Sequence, residues 1–292
     1  MKPARFVHLT PTSVAEAVAL LNEYAPDARV LAGGQSLVPL MHFRLSRPSH
    51  LIDLNRIPDL AYVRENSNHL TIGAMTRERT IETSNLVRYS VPLLHEATSY
   101  IGHLPIRSRG TIGGSIANAD PAAEYPAVML ALDGEMVLQS VRGKRQVPAT
   151  KFFNGVLSTV LEQDELLAEI VVPKTLPGIG SAFVEIARRL GDFALVGIAA
   201  QITLSGENIT NVQLSACGVG PGPVRLSTAE HEILNCGLDE SSIKSAAKIA
   251  ADEVEPENDL HATADYRRRL TAVLTRQALL KAQERSLGNQ DG

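Results

Sequence analysis

The stretch from Arg109 to Glu124, RGTIGGSIANADPAAE, constrains the fold of this chain more than any other part of its sequence. Its Gly-Gly pair follows two β-branched residues, and Asp120-Pro121 offers an N-cap followed by a proline at the first helical position. The stretch therefore predicts a tight loop that leads into a helix. Glycines let a ligand approach the backbone, and the unpaired N–H groups of a helix start attract phosphate oxygens.

A second Gly-Gly segment, Leu31 to Leu37, lies upstream and follows a short apolar strand. Each pair taken alone could be a simple tight turn, and that alternative stays open for each of them. Both segments, however, stand between a predicted strand and a predicted helix, and a small polar residue follows each pair. Together they predict one elongated diphosphate ligand that is held from both sides.

Residues 1–56 are predicted to form a small βαβ-like lobe. Ser13 and Glu16 form a capping box for its first helix, and Ser36 can cap a second, shorter helix. The predicted strands are Arg29 to Ala32 and His50 to Leu54. The first Gly-Gly segment then lies at the carboxyl end of a strand, where α/β structures usually bind ligands.

Residues 57–177 are predicted to form a central lobe. In this lobe Thr76 caps a polar helix, and Asp120 caps the helix that runs to Leu132. The predicted strands are Tyr62 to Glu65, His69 to Ala74, Glu135 to Ser140, Arg145 to Pro148 and Leu166 to Val172. Prolines and glycines at positions 173–180 then mark a boundary.

Residues 178–292 are predicted to form an antiparallel sheet with helices. The predicted strands are Ser181 to Arg188, Ala194 to Leu204 and Asn211 to Val219, and the helices are Glu240 to Val254 and Asp265 to Arg285. Arg267, Arg268 and Arg269 are predicted to lie on a solvated helix face. The fold class is therefore α+β, with two lobes followed by a sheet domain.

Composition excludes several classes of function. The 292 residues carry a net charge of -4, which gives no electrostatic reason to expect nucleic acid or an anionic membrane as a partner. Two cysteines, Cys217 and Cys236, are too few to hold an iron–sulfur cluster or a disulfide framework. The N-terminus has no apolar signal region and no stretch is long enough for a membrane span, so a cytoplasmic location is expected.

Five motifs are similar to those of one protein family. They are AGGQSL, FRL at Phe43 to Leu45, IDLNRI at Ile52 to Ile57, RGTIGGS-x-A-x-ADPAAE, and RRLGDFAL at Arg188 to Leu195. They closely resemble the FAD-binding medium subunit of molybdenum hydroxylases, the xanthine dehydrogenase and carbon monoxide dehydrogenase flavoprotein family. The resemblance runs from about Phe6 to Lys281, and it implies a two-lobed FAD-binding fold of the vanillyl-alcohol-oxidase type before the C-terminal sheet.

The resemblance also implies a function and an assembly. The chain would be an oxidoreductase subunit that takes electrons from [2Fe–2S] clusters on FAD and passes them to an external acceptor. A large molybdopterin-binding subunit and a small [2Fe–2S] subunit would be its partners, in a dimer of heterotrimers, that is, a heterohexamer. The molybdenum cofactor and the clusters would lie in those partners, so this chain would hold no metal and no catalytic residue of its own.

By the same resemblance, backbone N–H groups of both segments and the hydroxyls of Ser36 and Thr111 would bind the FAD pyrophosphate and ribityl chain. Glu124 would lie near the flavin, with a helix-dipole partner as its alternative role. Phe193 would cover the flavin ring, with a core phenylalanine as the alternative. The full set of expected FAD contacts is Ala32, Gly33, Gly34, Gln35, Ser36, Leu37, Ile101, Gly102, Thr111, Gly113, Gly114, Ser115, Asn118, Glu124, Leu167 and Phe193.

Two other functions stay open at this point. A stand-alone FAD oxidase or reductase would need its own acid or base, and a single histidine such as His103, with no partner at motif spacing, is more often structural. A flavin-free assembly scaffold would not need the glycine segments, which are intact here. A flavin absorbance spectrum of the purified protein would distinguish the flavin-free scaffold from the electron-transfer subunit and from the stand-alone oxidase or reductase.

Overall fold

The N-terminal part of the chain is a three-stranded parallel sheet with two helices. The computed structural model describes residues 2–288. The strands are β1 (Val7–Leu9), β2 (Ala28–Leu31) and β3 (His50–Asp53), in the order β1-β3-β2, and the helices are α1 (Val14–Tyr24) and α2 (Leu37–His42). Strand β3 lies in the middle, so β2, which leads into the first Gly-Gly segment, is an edge strand. The sequence does not predict β1, because a strand of three residues carries too short a pattern.

Capping explains why α1 begins where the sequence predicts. The Ser13 side chain accepts a hydrogen bond from the Glu16 N–H, and the Glu16 carboxylate accepts one from the Thr12 N–H at 2.7 Å. Ala17 and Val18 then face the core. The predicted cap of α2 is wrong, because Ser36 already has helical backbone angles and its side chain makes no capping bond.

The central part is a five-stranded antiparallel sheet surrounded by short helices. Its strands are β4 (Val63–Glu65), β5 (His69–Gly73), β6 (Glu135–Ser140), β7 (Gly143–Pro148) and β10 (Leu166–Pro173), in the order β4-β5-β10-β6-β7, with a separate hairpin of β8 (Phe153–Gly155) and β9 (Ser158–Thr159). The helices are α3 (Glu78–Thr83), α4 (Asn85–Ser90), α5 (Pro92–Thr98), α6 (Leu104–Arg107), α7 (Ile112–Asn118) and α8 (Glu124–Ala131). Fully buried side chains such as Ile72, Tyr125 and Ile170 form its core.

Two predicted caps in this part are wrong. The Thr76 hydroxyl donates to the Tyr62 carbonyl oxygen at 2.9 Å and caps no helix. Asp120 starts no helix either, because the segment contains two helices: α7 ends at Asn118, before Ala119 in the left-handed conformation with φ of 49°, and α8 begins at Glu124. The Asp120 carboxylate instead accepts the Ala122 N–H within the connecting turn.

The C-terminal part is a four-stranded antiparallel sheet with three helices. It contains β11 (Ile179–Ala187), β12 (Ala194–Ser205), β13 (Asn208–Cys217) and β14 (Val224–Arg225) in chain order, then α9 (Ser227–Cys236), α10 (Glu240–Glu253) and α11 (Ala264–Gly288). Helix α11 packs on β11 and β12. Phe183, Ala199 and Cys217 join the core of the central part, so this sheet contacts that part directly.

Arg267 is an exception to the predicted solvated face of α11. Its side chain is buried, donates to the carbonyl oxygens of Leu195 and Gly218, and forms an ion pair with Asp259 at 2.6 Å. A buried guanidinium therefore satisfies the ends of β12 and β13, which a charge pattern alone does not reveal. Within residues 2–288, no helix combines the length and the apolar character that a membrane crossing requires.

Candidate cofactor-binding site

The two glycine segments meet in space. We call residues 31–37 the first glycine loop and residues 109–115 the second glycine loop, although Gly113 and Gly114 lie in the first turn of α7 and not, as the sequence predicts, in a loop before a helix at Asp120. A side chain on Gly33 would clash with the carbonyl oxygen of Arg109, and one on Gly114 would come within 3.5 Å of the Ala32 Cβ. The two loops therefore pack backbone against backbone, and Gly33 is required for that contact.

Side-chain hydrogen bonds of two polar residues link the two glycine loops. The Asn55 side-chain amide donates to the Ala32 carbonyl oxygen at 3.0 Å. The Arg77 guanidinium donates to Asn55 Oδ1 at 2.5 Å and to the Arg109 carbonyl oxygen, and Arg77 lies opposite Thr111 in an isolated antiparallel bridge. The sequence patterns predict neither side chain as part of the site. Asn55 lies within the motif at Ile52 to Ile57, which was a usable signal, whereas nothing in the sequence marks Arg77.

The first glycine loop presents free hydrogen-bond donors. The backbone N–H groups of residues 33–36 have no acceptor among the described part of the chain. Gly34 adopts a φ of 75°, which is left-handed, and the Gln35 amide donates to the Gly33 carbonyl oxygen at 2.9 Å. Successive N–H groups around a left-handed residue form a concave site for an anion.

The second glycine loop uses its donors internally. Backbone N–H groups 112–115 all donate within the protein, among them Gly113 to the Ala74 carbonyl oxygen at 2.9 Å and Gly114 to Thr111 Oγ1 at 3.1 Å. A side chain on Gly113 would clash with the Ala74 backbone. The buried Thr111 hydroxyl is therefore the cap of α7, and this glycine pair serves close packing in the first instance.

Four predicted contact residues lie at the start of α2 or on α7. Ser36 is exposed and Leu37 is half-buried at the start of α2, and Ser115 and Asn118 are half-buried on α7. The side chains of Ser36, Ser115 and Asn118 make no hydrogen bond to any other residue within 2–288. Their polar groups are therefore available to a ligand.

A second group of predicted residues meets at the start of α6. Gly191 turns with φ of 83°, and a side chain there would lie 2.5 Å from the His103 ring and 3.0 Å from the Gly102 carbonyl oxygen. The turn that carries Phe193 thus rests on the segment of Ile101 and Gly102. The Phe193 side chain is 67% exposed, so it is an accessible aromatic ring and not a core phenylalanine.

Leu167 is placed differently from the other predicted contacts. It lies on β10 opposite Leu138, and it is only 4% exposed within the core of the central part. The structure therefore gives Leu167 almost no surface to offer a ligand.

Buried carboxyl groups lie beneath the loops. Glu124, the first residue of α8, is buried, and this burial together with the charges of Glu78 and Asp120 raises its pKa. Burial raises the pKa of Glu78 to about 7, although Arg107 and Arg77 oppose the shift. Glu78 Oε2 has no hydrogen-bond partner in residues 2–288, and its carboxylate fills the space that a side chain on Gly110 would need.

A further acid completes this group from the C-terminal sheet. Glu185, Gly197 and Cys217 lie in one row across β11, β12 and β13. Burial raises the pKa of Glu185, and the charge of Glu124 raises it further. Glu185 Oε2 is also buried without a partner among the described residues. The sequence does not predict Glu78 or Glu185 as site residues, because only the fold buries them.

These features fit a flavin nucleotide. Free N–H groups at residues 33–36 suit phosphate oxygens, and the bare backbone of the loops lets a diphosphate approach closely. The exposed Phe193 ring suits an apolar ring system. Carboxyl groups that stay neutral can both donate and accept hydrogen bonds, as the polar edges of such a ligand require. Fold and site together define a flavin-nucleotide-binding protein.

Comparison with known proteins identifies the family. The family described as "FAD binding domain in molybdopterin dehydrogenase" matches residues 4–175, and "CO dehydrogenase flavoprotein C-terminal domain" matches residues 181–282. The 6-hydroxypseudooxynicotine dehydrogenase complex subunit alpha of Paenarthrobacter nicotinovorans is 39% identical, covering 98% of this chain and 97% of that protein. The carbon monoxide dehydrogenase medium chain of Hydrogenophaga pseudoflava is also 39% identical, covering 96% and 97%.

The fold agrees with a solved relative. The structure of carbon monoxide dehydrogenase from Hydrogenophaga pseudoflava that lacks the Mo-pyranopterin moiety of its cofactor matches with a TM-score of 0.95 and 40% identity, over 98% of this chain and 99% of that one. The chain belongs to the family of FAD-binding medium subunits of molybdenum hydroxylases. The predicted α+β fold, the FAD cofactor and the assignment to the oxidoreductases are thereby confirmed.

Proposed function

We propose that this chain carries FAD as the electron-transfer subunit of a heteromeric molybdenum hydroxylase. It takes electrons from [2Fe–2S] clusters of a partner subunit and passes them to an external acceptor. The observation that carries the proposal is the contact of the two glycine loops, with the free N–H groups of residues 33–36 at its edge. Bound FAD supplies one- and two-electron chemistry that no amino-acid side chain offers.

The first glycine loop would hold the diphosphate. The N–H groups of Gly34, Gln35 and Ser36 would donate to its oxygens, and the Ser36 hydroxyl would add a further donor. Gln35 contributes by fixing the loop through its bond to the Gly33 carbonyl oxygen. The proposed contacts in the two loops and α7 are Ala32, Gly33, Gly34, Gln35, Ser36, Leu37, Thr111, Gly113, Gly114, Ser115 and Asn118.

The region around Phe193 would hold the ring system. Phe193 would cover an aromatic face of the ring system, and the adjoining residues Ile101 and Gly102 would contribute to the wall of the site. Glu124 would lie near a polar edge as a neutral acid, because burial raises its pKa. Leu167 remains a proposed contact from the resemblance, although its burial leaves it only an indirect role through packing.

The assembly is also part of the proposal. Several relatives bear names that imply complexes, such as the medium chain of carbon monoxide dehydrogenase and the medium subunit of nicotine 6-hydroxylase. We propose a large molybdopterin-binding and a small [2Fe–2S] partner, in a dimer of heterotrimers in the cytoplasm. Substrate hydroxylation would then take place on the large partner. We propose the domain limits 1–56, 57–177 and 178–292 for this chain.

The experiment is rapid mixing of the complete complex with its substrate, without an external acceptor. We expect bleaching of the flavin absorbance band after reduction of the iron–sulfur clusters. A complex reconstituted without FAD serves as the control, and its clusters should stay reduced when acceptor is added. Clusters that pass electrons to the acceptor equally fast without FAD would contradict the proposal.

A further inference from the structure

A basic cavity lies on the N-terminal part of the chain, outside the proposed cofactor contacts. Its volume is about 330 Å³, and it is lined by Lys2, Pro3, Ala4, Arg5, Arg44 and Arg47. Four of these six residues are cationic, and no acidic side chain lines the cavity. None of the four cations forms an ion pair with a carboxylate within residues 2–288. Like charges that converge without a counter-charge repel each other, so the site favours an anionic occupant.

The backbone fixes this arrangement. Arg44 Nε donates to the Lys2 carbonyl oxygen at 3.4 Å, and Arg47 Nε donates to the Arg44 carbonyl oxygen at 2.9 Å. Arg44 has a φ of 58°, a left-handed conformation that is unfavourable for a residue with a side chain. The Leu45 N–H bonds to the Leu40 carbonyl oxygen and holds the chain in this conformation at the end of α2. The Arg44 N–H also donates to the Met41 carbonyl oxygen, so this is the common left-handed cap of a helix end, and it fixes the backbone that carries Arg44.

Exposed large apolar side chains lie next to the cations in the sequence. Phe43 is 68% exposed and Leu45 is 76% exposed, one on each side of Arg44 in the sequence. Phe6 and Val7, which follow Arg5, are also exposed, and Val7 begins β1 at the edge of its sheet. Single exposed apolar residues are ordinary, but a group of them beside arginines has the composition of a protein interface.

We propose that residues 2–7 and 43–47 form a docking surface for an acidic, partly apolar surface of another subunit of the complex. We call it the basic docking surface. The inference rests on the proposed function, because it requires that the chain works within an assembly. A small anion would neutralise the arginines but would leave Phe43 and Leu45 in water, whereas a protein surface covers both.

The test is assembly of the chain with its partner subunits, measured by titration of a labelled chain. The variant R44E/R47E reverses two charges of the basic docking surface. The matched control, K244E/K248E, reverses two exposed lysines on α10 that have no carboxylate partner among the described residues. We expect R44E/R47E to weaken assembly by at least about tenfold and the control to stay within about twofold of the unmodified chain.

Three further measurements keep the outcome clear. Thermal melts of each variant establish that it folds, and R44K/R47K, which keeps both charges, should restore assembly to within about fivefold. Leu45→Ser should weaken assembly at high salt as well as low salt, because its contribution is apolar. If folded R44E/R47E assembles as well as the unmodified chain, the proposal is overturned. This holds even if inorganic phosphate binds the unmodified chain and not this variant.

The result also separates the two proposals of function and docking. Full assembly of R44E/R47E with normal flavin bleaching would overturn the docking surface and leave the electron-transfer function intact. The opposite result is also possible. If R44E/R47E fails to assemble, and substrate never reduces the flavin of the unmodified complex, the docking surface is supported and the electron-transfer function is overturned.

Discussion

The two glycine loops contain similar residues but have different roles in the structure. In the first loop, the N–H groups of residues 33–36 are free, and Gly34 needs its left-handed conformation to present them. In the second loop, N–H groups 112–115 are bonded internally and Gly113 packs on Ala74. A Gly-Gly pair in this fold therefore serves either to expose the backbone or to bury it, and only the surroundings decide which.

The largest expected effect is on the second loop. Gly113→Ala places a Cβ against the Ala74 backbone, which cannot move without disturbing β5 and α7. We expect the free energy of unfolding to fall by about 2–3 kcal/mol, measured by denaturant titration. The control is Gly222→Ala, where the added Cβ meets no atom within 4 Å. Equal stability of the two variants would show that the second loop is not a packing element.

The next effect belongs to the first loop. Gly34→Ala strains a left-handed residue, with only the flexible ends of Val38 and Leu31 nearby, so the stability cost should stay near about 1 kcal/mol. The displaced N–H groups should weaken FAD binding by roughly tenfold, which corresponds to about 1.4 kcal/mol. The FAD-to-protein ratio of the purified complex measures this. A variant that loses stability but keeps its FAD would reverse the roles assigned to the loops.

A pH effect follows from the acid beneath the second loop. The pKa of Glu78 is raised to about 7 in the folded protein, against about 4.3 in an unfolded chain. The folded state therefore binds more protons between these values, and the stability present below pH 4.3 is lost as the pH rises through 7. We expect a loss of roughly 1 kcal/mol between pH 6 and pH 8 from this group.

Denaturant titration of the FAD-free chain at both pH values measures the effect. Glu78→Gln should remove the Glu78 contribution to the change of the free energy of unfolding with pH. Glu257→Gln, at an exposed position, should leave that change as it is in the unmodified chain. If Glu78→Gln loses as much stability between pH 6 and pH 8 as the unmodified chain, another group causes the pH dependence.

The smallest effect on stability is expected at Phe193. Because its side chain is 67% exposed, Phe193→Ala should change the free energy of unfolding by less than about 0.5 kcal/mol. The rate of flavin re-oxidation in the complex should nevertheless change by at least about threefold, since the ring loses its cover. Phe193→Tyr, which keeps the ring, is the control. Unchanged rates in both variants would remove Phe193 from the proposed site.

Local sequence patterns predicted much of this fold. The capping box at Ser13 and the long strands of the C-terminal sheet follow from short-range chemistry, and so they were found. The pairing of the glycine segments was also anticipated, and the structure brings both loops into contact. The break at Ala119 was missed, because a left-handed alanine has no sequence signature.

The missed site residues have another cause. Arg77 and Glu78 acquire their roles only when the second loop folds over them, and Glu185 is buried only where two parts of the chain meet. Arg267 likewise appears as one of three similar arginines in the sequence, yet it alone binds the strand ends. Burial and hydrogen-bond partners depend on tertiary contacts, which a single sequence does not contain.

The most direct test of the central claim is an experimental structure of the assembled complex with FAD bound. We predict that diphosphate oxygens lie within hydrogen-bond distance, about 2.7–3.2 Å, of the backbone nitrogens of Gly34, Gln35 and Ser36. We also predict that backbone nitrogens 112–115 keep their present partners in the protein. A diphosphate bound away from residues 33–36, with those N–H groups facing water, would contradict the account.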